Sequence, residues 1–190
     1  MNNIKGIILF FFLATSSVFS QTGLQFYAGG ISATNRDINI TPSGYAHSGY
    51  HFGMDARLNE GSMYFGGGME FANIEFISQQ NKSYFSVKNS MTWFKLRVGL
   101  GYKIFSLGDK MILRGKTYGS INMITNYPQG MTDVPYTNYN TGTAGAVFGL
   151  GVDLFGITLD FEYERGFFNA VNMVKGTEFD FYKLNVGFKI

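Results

Sequence analysis

A strict two-residue alternation of apolar and polar side chains runs through residues 157–165 of this chain. The apolar positions are Ile157, Leu159, Phe161 and Tyr163, and the polar positions are Thr158, Asp160, Glu162 and Glu164. Successive side chains of a β-strand point to opposite faces. The pattern therefore predicts a strand with one apolar face and one face that carries three carboxylates.

The same period recurs in eight segments of the sequence. They cover residues 24–32, 49–58, 63–76, 90–104, 111–123, 143–153, 157–166 and 178–190. Long polar connections at 33–48, 77–89, 124–142 and 167–177 alternate with short ones at 59–62, 105–110 and 154–156. This alternation is typical of an up-and-down barrel with four long loops at one end and tight turns at the other. The predicted fold is all-β, an eight-stranded antiparallel up-and-down transmembrane β-barrel.

The polar faces of these segments collect charges of both signs. The predicted lumen network is Asp55, Arg57, Glu70, Lys95, Arg97, Lys103, Arg114, Lys116, Asp153, Asp160, Glu162, Glu164, Lys183 and Lys189. An eight-stranded barrel is only wide enough for side chains to fill, and buried charges are tolerable only when they are paired. We expect Asp160, Glu162 and Glu164 to face Lys183, with basic residues of the fourth and fifth segments reached across the lumen. A narrow ion path remains the alternative.

Aromatic residues decide between a membrane barrel and a soluble barrel with an apolar interior. Near one set of segment ends the apolar face carries Phe26, Phe65, Tyr102 and Phe188, and near the other Phe52, Phe71, Phe94, Tyr163 and Tyr182. Aromatic girdles of this kind belong to membrane interfaces. Charges on the apolar face are few and lie near segment ends, as with Glu75, Arg165 and Asp180. The sequence thus favours a barrel whose apolar face contacts lipid.

The N-terminus has the layout of a secretory signal peptide. Lys5 precedes an apolar run over 7–14, and small residues lead to a cleavage site after Ser20. That run is too short to span a membrane as a helix. We therefore predict a signal peptide at 1–20 and one barrel domain at 21–190. The absence of cysteine excludes disulfides and thiolate metal sites, and no basic stripe suggests nucleic acid.

Two further features could carry function. His47 and His51, with Ser43, Ser48, Asp55 and Glu70, admit a hydrolase at the rim; the simpler interpretation is one loop histidine and one inner polar histidine. No metal-ligand spacing occurs and no cofactor is expected. The loop at 125–141 carries Tyr127, Tyr136 and Tyr139, which suit a surface-binding role because tyrosine offers a broad, rigid contact area.

Three stretches carry a resemblance to a known family. They are the export signal followed by residues 21–30, the glycine-rich strand 96–102 and the terminal strand 182–190. Together they resemble small outer-membrane β-barrels of the OmpA and OmpX kind, and most of all the porin-family barrels common in Bacteroidetes. One departure is the last residue, Ile190, where such barrels commonly end on an aromatic residue; Phe188 lies two positions before it.

The resemblance implies a protein of the Gram-negative outer membrane, exported through a cleaved signal peptide. It implies outer-membrane lipid, the barrel-insertion machinery and periplasmic chaperones as partners, and a monomer with an unknown extracellular ligand or protein as a further possibility. The expected role is envelope structure or surface interaction without enzymatic activity. A small-solute channel and a rim-located hydrolase are the alternatives.

Overall fold

The computed structural model describes residues 22–35, 47–58, 61–75, 90–108, 110–126, 140–170 and 178–190. They form eight strands: β1 (Thr22–Asn35), β2 (His47–Leu58), β3 (Met63–Glu75), β4 (Ser90–Leu107), β5 (Met111–Asn126), β6 (Gly142–Leu154), β7 (Ile157–Gly166) and β8 (Phe179–Lys189). Each strand pairs antiparallel with its neighbours in sequence, and β8 closes on β1. The predicted eight-stranded antiparallel barrel is confirmed. Within the described ranges, no helix is long and apolar enough to cross a membrane.

The register of the strands sets how side chains meet inside the barrel. Following paired residues once around the barrel from Ala33 leads back to β1 at Gly23, ten residues earlier in the same strand. Such a stagger requires strands tilted by about 35–45° to the barrel axis. Inward side chains that lie at one height therefore come from different positions along different strands.

In β7 the apolar side chains lie on the outside of the barrel and the polar side chains lie inside it. Phe161 is 53% exposed on the outer surface, whereas the next residue, Glu162, is fully buried in the lumen. The other strands follow the same order, with large apolar side chains outside and most charges inside. Because charged groups are almost never fully buried unless they are paired, the inner charges require partners within the lumen.

The outer surface carries its aromatic residues in cross-strand rows. Phe71 lies between Phe52 and Phe94, with ring centroids 5.7 and 4.9 Å away. On the other side of the barrel, Tyr163 and Tyr182 lie 5.2 Å apart. Phe26 and Phe188 stack at 5.4 Å across the β1–β8 seam, near the end that carries the chain terminus.

Several strands are longer than the alternation predicts. The strand expected to end at residue 104 continues to Leu107, because a register shift near Lys103 lets the segment keep pairing with β5. The connection expected at 105–110 is therefore a tight turn around Gly108, whose φ of 59° suits glycine. Glu75, expected on the apolar face, is buried at the end of β3.

Candidate functional site in the barrel lumen

Inward tyrosines of the lumen lie over inward glycines of nearby strands. Three inward tyrosines, Tyr27, Tyr64 and Tyr118, are buried. A Cβ added at Gly66 would overlap the ring of Tyr118, and one at Gly101 would overlap the ring of Tyr64. The ring of Tyr64 therefore occupies the space that a glycine leaves open on the adjacent strand, and the ring of Tyr118 reaches across β4 to a glycine of β3.

Ion pairs begin at the end of the lumen that carries the short turns. Arg57 Nη1 lies 2.6 Å from Asp153 Oδ2, and Arg114 Nε lies 2.9 Å from Asp153 Oδ1. Arg114 also contacts Asp160, with Nη1 2.8 Å from Oδ1. Gln25 donates from Nε2 to Asp160 Oδ2 at 2.9 Å. Asp153 thus contacts both arginines, and Arg114 contacts both carboxylates.

Arg97 is the centre of the network. Its Nη2 lies 2.6 Å from Asp55 Oδ2, and its Nη1 lies 3.2 Å from Glu70 Oε2 and 2.7 Å from Glu162 Oε2. The guanidinium also stands over the ring of Tyr27, 4.8 Å from the centroid. One cation therefore joins carboxylates of β2, β3 and β7, as the planar fork of arginine allows.

Two lysines continue the network towards the long loops. Lys183 Nζ lies 2.8 Å from Glu70 Oε1 and 2.9 Å from Glu164 Oε2. Lys95 Nζ lies 2.7 Å from the same Glu164 oxygen and 3.5 Å from the centroid of the Phe181 ring. Ser120 donates its hydroxyl to Glu164 Oε1 at 2.9 Å. Glu164 is therefore held by both lysines and by a hydroxyl.

Glycines of β6 allow partners on β5 and β7 to meet across it. Gly149 lies between Lys116 and Glu162, which form an ion pair, and a Cβ there would press on both side chains. Gly151 lies in the same way between Arg114 and Asp160. The glycine-rich inner face of β6 thus makes room for ion pairs between strands that are not neighbours.

Twelve of the fourteen residues predicted for the lumen network lie in these ion pairs. They are Asp55, Arg57, Glu70, Lys95, Arg97, Arg114, Lys116, Asp153, Asp160, Glu162, Glu164 and Lys183. The other two, Lys103 and Lys189, are half-buried at the end that carries the short turns. Six basic side chains thus meet six acidic ones, the balance that burial requires.

Above the charges, the lumen holds a cluster of buried apolar residues that the sequence reasoning missed, here called the apolar plug. The plug consists of Ile31, Ala33, Ala72, Ile74, Met91, Trp93, Ile124, Ala170, Phe179 and Phe181. Trp93 packs edge-on against Phe179 and Phe181, at 5.6 and 5.5 Å. The signal was available, because the inward period continues from Lys95 to Trp93 and Met91, where the polar positions give way to apolar ones.

Both histidines of the hydrolase hypothesis are buried. His47 was expected in a loop, and this is wrong: it is the first residue of β2, pairs with Ala33 and is buried, with its ring 6.5 Å from Phe179. His51 is an inner residue, and its Nδ1 lies 3.5 Å from Glu70 Oε2. Asp55, the acid proposed to share its face, is engaged by Arg97 instead.

The remaining candidate groups give no further site within the described ranges. Ser48 points outward, away from the lumen, and Ser43 lies outside the described residues. Tyr127, Tyr136 and Tyr139 of the predicted binding loop also lie outside them. In the part of the chain that the structure describes, no group of three or more His, Asp or Glu side chains could hold a metal ion.

Comparison with known proteins gives a fold and no family. No protein-family model matches the chain, and no curated protein matches it. Among solved structures, Neisserial surface protein A (NspA) superposes with a TM-score of 0.55 at 13% identity, over 89% of this chain and 97% of that chain. At this identity the similarity shows the shared barrel fold.

Two other solved barrels superpose less well. Ail, the attachment invasion locus protein of Yersinia pestis, in complex with the heparin analogue sucrose octasulfate, has a TM-score of 0.46 at 11% identity, over 90% of this chain and 99% of that chain. The N-terminal β-barrel domain of Pseudomonas aeruginosa OprF has a TM-score of 0.46 at 10% identity, over 90% of this chain and 98% of that chain.

Proposed function

We propose that this chain is an outer-membrane β-barrel with a closed lumen, serving envelope structure or surface interaction. The observation that carries the proposal is the distribution of side chains: phenylalanine, leucine and valine cover the outside while twelve charges are paired inside. A charge on the lipid face of a barrel costs about 2–4 kcal/mol at the membrane midplane. The outer surface is therefore suited to contact with lipid. The charges of the lumen have ionic partners and so can be buried away from solvent.

The location follows from the same surface and from the N-terminal sequence. The protein is exported through a signal peptide at 1–20 and inserted in the outer membrane of a Gram-negative bacterium. Its short turns lie in the periplasm and its four long loops lie outside the cell. Within this class, we propose that the chain is one of the porin-family barrels common in Bacteroidetes. The support is the resemblance carried by residues 21–30, 96–102 and 182–190.

The partners in this proposal are those of a monomeric barrel. Outer-membrane lipid contacts the exterior, and periplasmic chaperones and the barrel-insertion machinery act during biogenesis. The protein binds no nucleic acid and needs no cofactor. Tyr127, Tyr136 and Tyr139 form a candidate contact surface for an extracellular ligand or protein, and this stays a prediction from the sequence.

Closure of the lumen distinguishes this function from that of a small-solute channel. The charge network and the apolar plug support closure, because each fills the lumen at its own level. The test is the current carried by the refolded protein in planar lipid bilayers. We expect no steady, well-resolved openings, with an open porin in the same bilayers as the positive control. Reproducible unitary conductance would establish the channel instead.

We propose no enzymatic activity. The support is that His47 and His51 are buried, His51 against Glu70 and His47 against the plug, away from the lipid at the rim. Lipase and protease assays on the reconstituted protein test this. An activity that disappears in His51→Ala while the barrel stays folded would reverse the assignment.

A further inference from the structure

The hairpin between β4 and β5 is longer than the other described turns at its end of the barrel. The register of β4 with β3 ends at Tyr102, opposite Met63, and one more backbone bond joins Lys103 N to Ser62 O at 2.8 Å. β4 nevertheless continues for five residues, to Leu107. On the other side β5 stays paired with β6 as far as Met111 and Leu154. The hairpin thus projects beyond β3 while β6 supports it.

A β-bulge decides which way the apolar residues of this projection point. Lys103 pairs with Arg114 and Phe105 pairs with Leu113, so Ile104 has no partner in the register. Without the extra residue, Phe105 would share the inward face of Lys103, because side chains two apart point the same way. The bulge places Ile104 and Phe105 both outside, as bulges do when they re-aim a side chain.

The outcome is an exposed apolar patch, which we call the hairpin patch and define as Ile104, Phe105, Leu107 and Phe155. Leu107 is 64% exposed and Phe155 78%. Phe155 belongs to the neighbouring β6–β7 turn, whose backbone is tied to the hairpin by a bond from Phe155 N to Lys110 O at 3.0 Å. The patch is therefore one surface built from two connected turns.

The patch continues the lipid-facing surface without a break. On β4 the outward side chains before it are Leu96, Val98, Leu100 and Tyr102, and all are exposed. No polar side chain stands among the outward residues from Leu96 to Phe105; the exposed Ser106, whose hydroxyl donates to Gly108 O at 2.8 Å, lies between Phe105 and Leu107. Lys110 is exposed in the turn, and its long stem can carry the ammonium group to a lipid phosphate while the apolar residues stay in the bilayer. This continuity identifies a lipid surface as the occupant.

We propose that the β4–β5 hairpin anchors the barrel in the inner leaflet, with the hairpin patch at the boundary between acyl chains and headgroups. This inference rests on the proposed outer-membrane function. The barrel is then held more deeply on its β4–β6 side, and the bulge at Ile104 is the device that makes this possible.

The natural lack of cysteine makes the test direct. Single-cysteine variants Leu107→Cys, Leu150→Cys and Ser62→Cys carry a nitroxide label after reconstitution in vesicles of phosphatidylethanolamine and phosphatidylglycerol. Leu150 reports the lipid-facing strand surface, and Ser62, exposed in the β2–β3 turn, reports the rim. Collisions with oxygen report lipid and collisions with a water-soluble nickel chelate report solvent. Heat-modifiable mobility in gels checks that each variant is folded.

We expect the ratio of oxygen to nickel accessibility at position 107 to exceed that at position 62 severalfold and to stay below that at position 150, as a site at the boundary between acyl chains and headgroups requires. A value at 107 equal to that at 62, with 150 in lipid, overturns the anchor and leaves the barrel in the membrane. Shielding of 107 from both reagents indicates a protein contact and overturns the lipid assignment. Solvent exposure at 150 overturns the proposed function itself.

Discussion

At the residue scale, Arg97 shows why the lumen charges are structural. It contacts Asp55, Glu70 and Glu162 from three strands and is itself buried. The desolvation cost of such a cation is offset only while its partners are present. Removing it leaves three buried carboxylates without the cation that they share.

We expect Arg97→Met to lower the free energy of unfolding by about 3–5 kcal/mol, because it leaves uncompensated buried charge. Equilibrium unfolding in urea, with the protein in lipid vesicles, measures this. Arg165→Met is the matched control: Arg165 is exposed at the far end of β7, where an ion pair contributes about 0–1 kcal/mol. Equal losses in both variants would mean that the network does not stabilise the fold.

Gly66 packs directly against the ring of Tyr118, so that a side chain at this position should destabilise the barrel. Gly66→Ala places a methyl group in the space of the Tyr118 ring, and overpacking of this kind costs about 1–3 kcal/mol. Gly30 lies on the outside of β1, with no atom within 4 Å of an added Cβ, so Gly30→Ala should be nearly neutral. The same urea titration compares them, and an unaffected Gly66→Ala would show that the Tyr118 ring has room to move.

At the element scale, the final strand determines whether the barrel closes. Ile190 exchanges two backbone hydrogen bonds with Leu24, at 2.8 and 3.0 Å, and Phe188 stacks on Phe26. The terminal isoleucine therefore lies in the seam between β8 and β1. Because the contact is made by backbone groups, it does not depend on an aromatic side chain at the last position.

Deleting residues 188–190 should reduce the folded fraction severalfold, because these bonds and the aromatic stack are lost together. Ile190→Phe keeps the backbone bonds and should fold like the parent chain. The fraction of heat-modifiable, folded protein after refolding in vesicles measures both. Normal closure of the truncated chain would place the decisive seam contacts farther along β8.

At the scale of the whole molecule, the described part of the lumen is filled in two different ways at two levels. Ion pairs fill the part nearer the short turns, and the apolar plug around Trp93 fills the part nearer the long loops. The two meet at Lys95, which contacts both Glu164 and the Phe181 ring. Either layer is expected to block ions when the other is damaged.

Trp93→Ala should lower the free energy of unfolding by about 3–5 kcal/mol, because it leaves a cavity in the plug. The variant should nevertheless carry no current in planar bilayers, because the ion pairs still fill the other part of the lumen. Phe161→Ala is the control, because acyl chains can fill the space on the outer surface and the loss should be smaller. Stable openings in Trp93→Ala alone would show that the plug is the only seal.

The number of strands, the alternation along each and the identity of its polar face can all be predicted from the sequence. These are local properties, since the period of two depends only on the direction of adjacent side chains along one strand. The alternation in β7 predicts the inner face of residues 157–165, which consists of Thr158, Asp160, Glu162 and Glu164. The strand ends cannot be predicted in the same way, because the polar loops and the last inward positions of the strands contain the same types of residue.

The pairing of the inner charges and the packing of the apolar cluster depend on the tertiary structure. Asp160 was expected to face Lys183, yet it contacts Arg114 and Lys116, while Glu162 and Glu164 contact Lys183. The ten-residue stagger sets which side chains share a height, and the glycines of β6 let β5 and β7 meet. Stagger and closure depend on all eight strands at once, so no single segment of sequence contains them.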